Sequence, residues 1–247
     1  MFWLWRLFAT ALSFMIFGLG GVMIPLLAMP ILYLMPGDKA TRERRSRLLV
    51  HLLFKSFIHL IRFLGLMRWE AQGSEKLQRP GALILANHPT LIDIVFLVAF
   101  IPNASCIVKG RLMSNPVMRG FISLTGYITN DRGPGLIIDA HQTLQSGSCL
   151  VIFPEGTRTS PGGPTNLHRG AANIAVRCRT NITPVLIRCQ PSTLSKKQPW
   201  YHIPPKPFVL SFDVMDDIPI APYLEDTSSR SARGLTRYLE QFFRNLL

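Results

Sequence analysis

The sequence is poor in cysteine, poor in acidic side chains, and lacks the short signatures of several large enzyme classes. Its four cysteines, Cys106, Cys149, Cys178 and Cys189, are scattered. No Cys-x-x-Cys pair or Cys/His cluster has the spacing of metal ligands, so neither a zinc site nor a disulfide framework is expected. They read as small buried hydrophobes of a reducing compartment. No Gly-x-Ser-x-Gly elbow occurs, which leaves a serine hydrolase of that type without a nucleophile. His-Glu-x-x-His, the P-loop and Gly-x-Gly-x-x-Gly are absent as well. The 247 residues suffice for one α/β core without staples.

Acid is scarce relative to base: 14 Asp and Glu stand against 27 Lys and Arg, a formal net charge of +13. Nucleic-acid binders carry dense basic runs on polar chains. Here only 17% of residues are charged and 48% are hydrophobic. That distribution suits anionic lipid headgroups and argues against a nucleic-acid partner.

Charge is missing altogether from Leu7 to Pro36. A helix needs about 20 apolar residues to cross a bilayer core, so this run is long enough. Phe2, Trp3 and Trp5 precede it, at the level where amphipathic rings meet headgroups. It is too long for a signal-peptide apolar region, and we expect it to be retained. Gly18, Gly20, Gly21, Pro25 and Pro30 leave two arrangements open, one spanning helix or a hairpin dipping into one leaflet. The flank Gly37–Arg47 carries Lys39, Arg42, Arg44, Arg45 and Arg47, which places it and the domain after it on the cytoplasmic side. From Leu48 to Met67 the polar residues His51, Lys55, His59 and Arg62 form one stripe on a helix, its other faces apolar. Core helix and interfacial helix fit that pattern equally, and both histidines are expected at the surface. Residues 1–67 are therefore expected to form a membrane anchor and interfacial helix, and 68–247 a catalytic domain.

Beyond Gly73 the pattern becomes short β-type runs separated by helical stretches. Expected strands are Met67–Gln72, Ala82–Ala86, Ser105–Val108, Gly126–Thr129, Cys149–Phe153, Thr183–Arg188 and Phe208–Met215. Expected helices are Ile94–Phe100, Gly135–Gln145, Gly170–Arg179 and a tail whose Leu235, Tyr238, Leu239, Phe242, Phe243 and Leu246 share a face. Gln190–Pro207 reads as a loop. The alternation implies an α/β sheet covered on both faces, with function at loops leaving the carboxyl ends of strands.

Two such loops carry chemistry. In Asn87-His88-Pro89-Thr90-Leu91-Ile92-Asp93, histidine and aspartate meet if His88 lies in the turn before a helix and Asp93 inside it. Pro89 favours that arrangement by suiting the first helical position, and His88 would then face a positive helix end. A general base is typically worth about 10²–10⁴-fold on a hydroxyl nucleophile, and His88 is assigned that role with Asp93 holding its tautomer. The second loop, Pro154–Thr159, offers Glu155, Gly156, Thr157 and Arg158. Its backbone N–H groups suit an anion, Arg158 is a planar bidentate donor, and Glu155 would orient that arginine or bind an acceptor hydroxyl. Arg132 and Arg169 are further basic candidates.

Asn-His-x4-Asp followed 67 residues later by Phe-Pro-Glu-Gly-Thr-Arg resembles the PlsC-like glycerolipid (lysophosphatidic acid) acyltransferase family over residues 70–190. The resemblance implies a mixed sheet of about seven strands covered by helices, with an N-terminal membrane-anchoring segment. It implies His88 and Asp93 as the catalytic pair, with Asn87 and Thr90 beside them in the substrate-binding motif. Arg132, in Gly126-x5-Arg132, corresponds to a phosphate-binding arginine. Glu155, Gly156, Thr157 and Arg158 bind glycerol phosphate, and Arg169 lies where a basic pair precedes a Gly-Ala helix. Ile182-Thr183-Pro184-Val185 resembles the family's apolar strand motif. The implied chemistry is single-step transfer from acyl-CoA or acyl-carrier protein to a lysophospholipid at the cytoplasmic face of the inner membrane, with no cofactor and no metal. Pro89 departs from the polar residue often found there, and His168-Arg169 from the basic pair. Alternatives are the same chemistry on another lyso-acceptor, such as an ornithine or polyene lipid, or an inactive lipid-binding protein.

Overall fold

Seven strands and seven α-helices are formed by the residues described in the computed structural model, 2–158, 166–225 and 228–247. The strands are β1 (Met67–Gln72), β2 (Leu83–Ala86), β3 (Ala104–Val108), β4 (Ile128–Thr129), β5 (Cys149–Ile152), β6 (Ile182–Gln190) and β7 (Phe208–Val214). They form one sheet in the order β1-β7-β6-β2-β5-β3-β4, in which β6 and β7 are antiparallel and every other pair is parallel. The mixed seven-strand sheet is the one expected. β2 and β5 sit at its centre and are buried on both faces, hence their uninterrupted apolar sequences Leu-Ile-Leu-Ala and Cys-Leu-Val-Ile.

The helices are α1 (Phe2–Leu34), α2 (Lys39–Phe63), α3 (Asp93–Val98), α4 (Pro116–Thr125), α5 (Gly135–Gln145), α6 (Gly170–Cys178) and α7 (Ser228–Leu246). One core layer joins the sheet to α2 and α3 through Val50, Ile58, Ile61, Phe96 and Phe212. The other joins it to α5, α6 and α7 through Ala140, Leu144, Ile174, Leu235, Leu239 and Phe243. Each large side chain so buried contributes roughly 1.5–3 kcal/mol.

Several boundaries differ from expectation. The flank from Gly37 is not a separate basic segment. Asp38 caps a helix by accepting the Thr41 N–H at 2.8 Å, so α2 absorbs the arginines and runs on to Phe63. His51 is buried, not at the surface, with its Nδ1 2.9 Å from the Val98 carbonyl, whereas His59 is exposed and packs edge-on against Trp69. Helix α4 is not among the expected elements although its signals are present: Asn115 caps the N–H groups of Val117 and Met118, and Pro116 starts the helix. Gly126 ends it at φ +66°, so the strand expected from Gly126 begins only at Ile128. Thr159 and the side chain of Phe2 lie outside the described residues.

Helix α1 is one unbroken helix through Pro25 and Pro30, so no hairpin forms within the run. It is long and apolar enough to cross a membrane. Yet one side of it rides the domain along its length. Near its start, Trp5 Nε1 donates to the Leu64 carbonyl at 3.1 Å and Arg6 donates to that of Pro205 at 2.8 Å. Phe17 packs on Phe54 and Phe57, Met29 lies over Gly120, and the Arg42 guanidinium sits 4.4 Å from the Tyr33 ring centre. The opposite side exposes Leu4, Phe8, Met15, Leu19 and Leu26. A helix held along one side in this way presents its other apolar side outward, parallel to the domain surface.

Candidate active site

The register of the central strands brings the two loops together. β2 pairs β5 as Leu83↔Leu150, Ile84↔Val151 and Leu85↔Ile152, a constant offset of 67 residues. Carried beyond the strand ends, that offset sets His88 opposite Glu155. The His88 N–H donates to Glu155 Oε1 at 3.3 Å. A separation of 67 residues in sequence thus becomes adjacency because the strands are parallel neighbours.

His88 Nδ1 lies 2.8 Å from Asp93 Oδ2. The same oxygen accepts the Thr90 N–H at 2.7 Å, and the Thr90 hydroxyl donates to Asp93 Oδ1. With Nδ1–H given to the carboxylate, Nε2 is the basic nitrogen, and it has no hydrogen-bond partner among the described residues. The ring stacks on Phe153 with centroids 4.3 Å apart and remains partly exposed. Phe153 is not among the candidates drawn from the sequence, although it opens the Phe-Pro-Glu-Gly-Thr-Arg motif.

The local reason for the pairing differs from the expected one. Pro89 does not start the helix. Residues 87–89 are irregular, Thr90–Ile92 turn, and α3 begins at Asp93. The positive helix end therefore serves the Asp93 carboxylate rather than His88. Thr90-Leu-Ile-Asp93 also has capping-box spacing, with Asp93 reaching back to the Thr90 N–H.

Asp93 is fully buried. Burial raises its carboxyl above the usual range, against the opposing pull of the His88 and Thr90 hydrogen bonds. Burial likewise raises Glu155, assisted by the charge of Asp93 and opposed by the His88 N–H. The two carboxyl groups thus meet His88 at different points, Asp93 at the imidazole Nδ1 and Glu155 at the backbone N–H.

The other candidates divide. Asn87 does not face a substrate: its Nδ2 donates to the Ile187 carbonyl at 2.8 Å, and its Oδ1 accepts the Ile187 N–H at 2.6 Å. It extends the β2–β6 ladder past the last strand residue. Thr90 is occupied by Asp93. Gly156 adopts φ +63°, and a Cβ there would lie 2.9 Å from the His168 ring, so glycine serves the turn that aims Glu155. Thr157 is exposed beside it. Arg158 Nη1 donates to the carbonyls of Leu194 at 2.9 Å and Ser195 at 3.1 Å. Arg132 is over half exposed and pairs with Asp139 at 2.8 Å, and Arg169 is exposed at the start of α6. Neither hydrogen-bonds His88 or Glu155.

An apolar cavity of about 550 Å³ adjoins the His88–Asp93 loop. Leu91, Ile92 and Val95 form one wall, Phe14 and Phe17 of α1 and Phe54 and Phe57 of α2 another, and Leu194 and Ile203 a third. Its size is in the range of small-molecule pockets, but it is lined almost wholly by carbon.

The class is an α/β protein whose central parallel strands hold, at their carboxyl ends, a histidine with a buried carboxylate partner and a free ring nitrogen, a geometry suited to acid–base chemistry. The model of the acyltransferase family matches residues 68–188. The chain is 28% identical over 147 residues to a 1-acyl-sn-glycerol-3-phosphate acyltransferase of Pseudomonas aeruginosa, covering 57% of each chain. It is 35% identical over 113 residues to the enzyme of that name from Helicobacter pylori, covering 42% of this chain and 47% of that one. The match thus spans about half the length of these curated relatives. Its fold is that of the 1-acyl-sn-glycerophosphate (LPA) acyltransferase PlsC from Thermotoga maritima, with TM-score 0.75 and 19% identity over 99% of this chain and 97% of that one. Residues 68–188 thus form a domain of the acyltransferase family.

Proposed function

We propose that this protein transfers a fatty acyl group from acyl-CoA or acyl-carrier protein to the free hydroxyl of 1-acyl-glycerol-3-phosphate, giving phosphatidic acid. The observation that carries the reading is the His88–Asp93 pair at 2.8 Å, in a loop whose Leu91 and Ile92 line an apolar cavity. The acceptor hydroxyl gives its proton to His88 Nε2 as its oxygen attacks the thioester carbonyl. Asp93 stabilises the imidazolium. The tetrahedral intermediate collapses with cleavage of the C–S bond, and the departing sulfur takes the proton from Nε2. No residue is acylated, and the reaction calls on no metal or cofactor. The acyl chain occupies the cavity. Glu155 holds the His88 backbone and the acceptor, and Arg132, Arg158, Arg169 and the exposed Thr157 surround its phosphate.

The apolar side of α1 supports attachment to one face of the membrane, in the plane of the interface, with residues 68–247 as the catalytic unit. The arginine-rich start of α2 supports the cytoplasmic face of the inner membrane. Transfer of labelled acyl-CoA to lysophosphatidic acid by the purified protein and by His88→Ala tests the reading. Activity in the parent that falls at least about 10²-fold in the variant is expected. Equal activity in both, or none in either, rejects it.

A further inference from the structure

The segment Pro191–Pro207 has no regular structure beyond turns, yet it closes the apolar cavity. Thr193, Leu194, Trp200, His202, Ile203 and Pro204 all face it. Leu194 has φ +53°, a left-handed conformation that a leucine keeps only when its surroundings impose it. Those surroundings are the two chemical loops. The Leu194 carbonyl accepts the Leu91 N–H at 3.0 Å, from the loop joining His88 to Asp93. It also accepts Arg158 Nη1 at 2.9 Å, and the same nitrogen reaches the Ser195 carbonyl at 3.1 Å. Ser195 and Gln198 close the turn beside them through the Gln198 side chain at 3.2 Å. One guanidinium nitrogen is thus committed to the cavity roof, while Nη2 and Nε have no hydrogen-bond partner among the described residues.

We propose that Arg158 is a positioning residue for the acyl group as well as an acceptor contact, coupling the acceptor's phosphate to the roof of the acyl cavity. The inference rests on the proposed function for the identity of the acceptor. The guanidinium is planar and its donors are fixed relative to one another. An anion held by Nη2 and Nε therefore fixes Nη1 against the two carbonyls. Phosphate binding stiffens the roof, and the roof decides which acyl chains fit. A lysine carries the charge but has no fork. Its ammonium must choose between the carbonyls and the phosphate.

Hydrogen–deuterium exchange of residues 191–207 tests the coupling in the full-length protein, Arg158→Ala and Arg158→Lys, with and without sn-glycerol 3-phosphate. The β2 amides serve as the reference for global opening. Relative to that reference, Arg158→Ala is expected to exchange about tenfold faster in this segment. Glycerol phosphate should slow exchange in the parent, leave the alanine variant unaffected, and speed exchange in the lysine variant. Turnover supplies the second measure. The ratio of kcat/KM for palmitoyl-CoA to that for octanoyl-CoA should fall several-fold in Arg158→Ala, beyond any rise in acceptor KM. Unchanged segment exchange in Arg158→Ala overturns the proposal. So does a raised acceptor KM with an unaltered chain-length ratio. If the parent does not acylate lysophosphatidic acid, the functional reading fails, while the exchange experiment still decides whether an anion at Arg158 tightens the roof.

Discussion

Replacing Asp93 with Asn separates the electrostatic role of this carboxylate from its structural one. Asp93 Oδ2 accepts two N–H groups, from His88 at 2.8 Å and Thr90 at 2.7 Å, while Oδ1 faces only the Thr90 hydroxyl. An asparagine oxygen fits the Oδ2 position and keeps both N–H bonds. Its NH₂ then faces a hydroxyl that rotates to accept. The variant is therefore expected to fold with the geometry intact and to lose the charge that stabilises the imidazolium. Loss of that charge is expected to cut kcat by about 10²–10⁴-fold, or about 3–5 kcal/mol, with little change in acceptor KM. Stability should move the other way. Burial raises the Asp93 carboxyl, so the folded state favours its protonated form. The contribution of this group is thus fully present below its unfolded pKa and is lost as pH rises through the raised folded value. The amide of the variant does not titrate. The difference in Tm should therefore be smallest near about pH 4, the ordinary aspartate range, and grow toward neutrality in the variant's favour. Release of free thiol from acyl-CoA measures the first effect, and thermal melts across that pH range the second. A variant that keeps a tenth or more of parental kcat, or one whose Tm falls relative to the parent's as pH rises, refutes this account of the pair.

The same geometry governs three further experiments. Asn87→Ala leaves the buried Ile187 N–H and carbonyl without partners and should cost about 2–5 kcal/mol in chemical denaturation, a loss of stability rather than of acceptor affinity alone. Gly156→Ala places a Cβ against His168 at a left-handed backbone position and should destabilise by about 1–2 kcal/mol, with kcat falling because Glu155 is displaced. If α1 lies in the plane of the interface, single cysteines at positions 3 and 34 will react with an impermeant reagent from the same side of a sealed vesicle. Labelling from opposite sides would establish a crossing helix.

Much of the sheet is legible in sequence because a β-strand buried on both faces must be apolar throughout, and the runs at Leu83–Ala86 and Cys149–Ile152 are. Helix α4 carries equally plain signals in its Asn-Pro start and Gly stop, and its Val117, Met118, Phe121 and Ile122 fall at helical spacing, so it too is legible in the sequence. His51, by contrast, misleads. A polar residue in a polar stripe reads as exposed, yet one backbone carbonyl, that of Val98, is enough to satisfy it in the core.

Within the site, residue type and spacing already determined the pairing of His88 with Asp93, since the local chain geometry lies in the short stretch between them. Their surroundings depended on tertiary structure. The strand register set Glu155 against the His88 backbone, the β6 ladder claimed Asn87, and the fold of 191–207 claimed one nitrogen of Arg158. A side chain's free hydrogen-bonding capacity is whatever remains after distant backbone has used its share, and that remainder is settled only when the chain has packed.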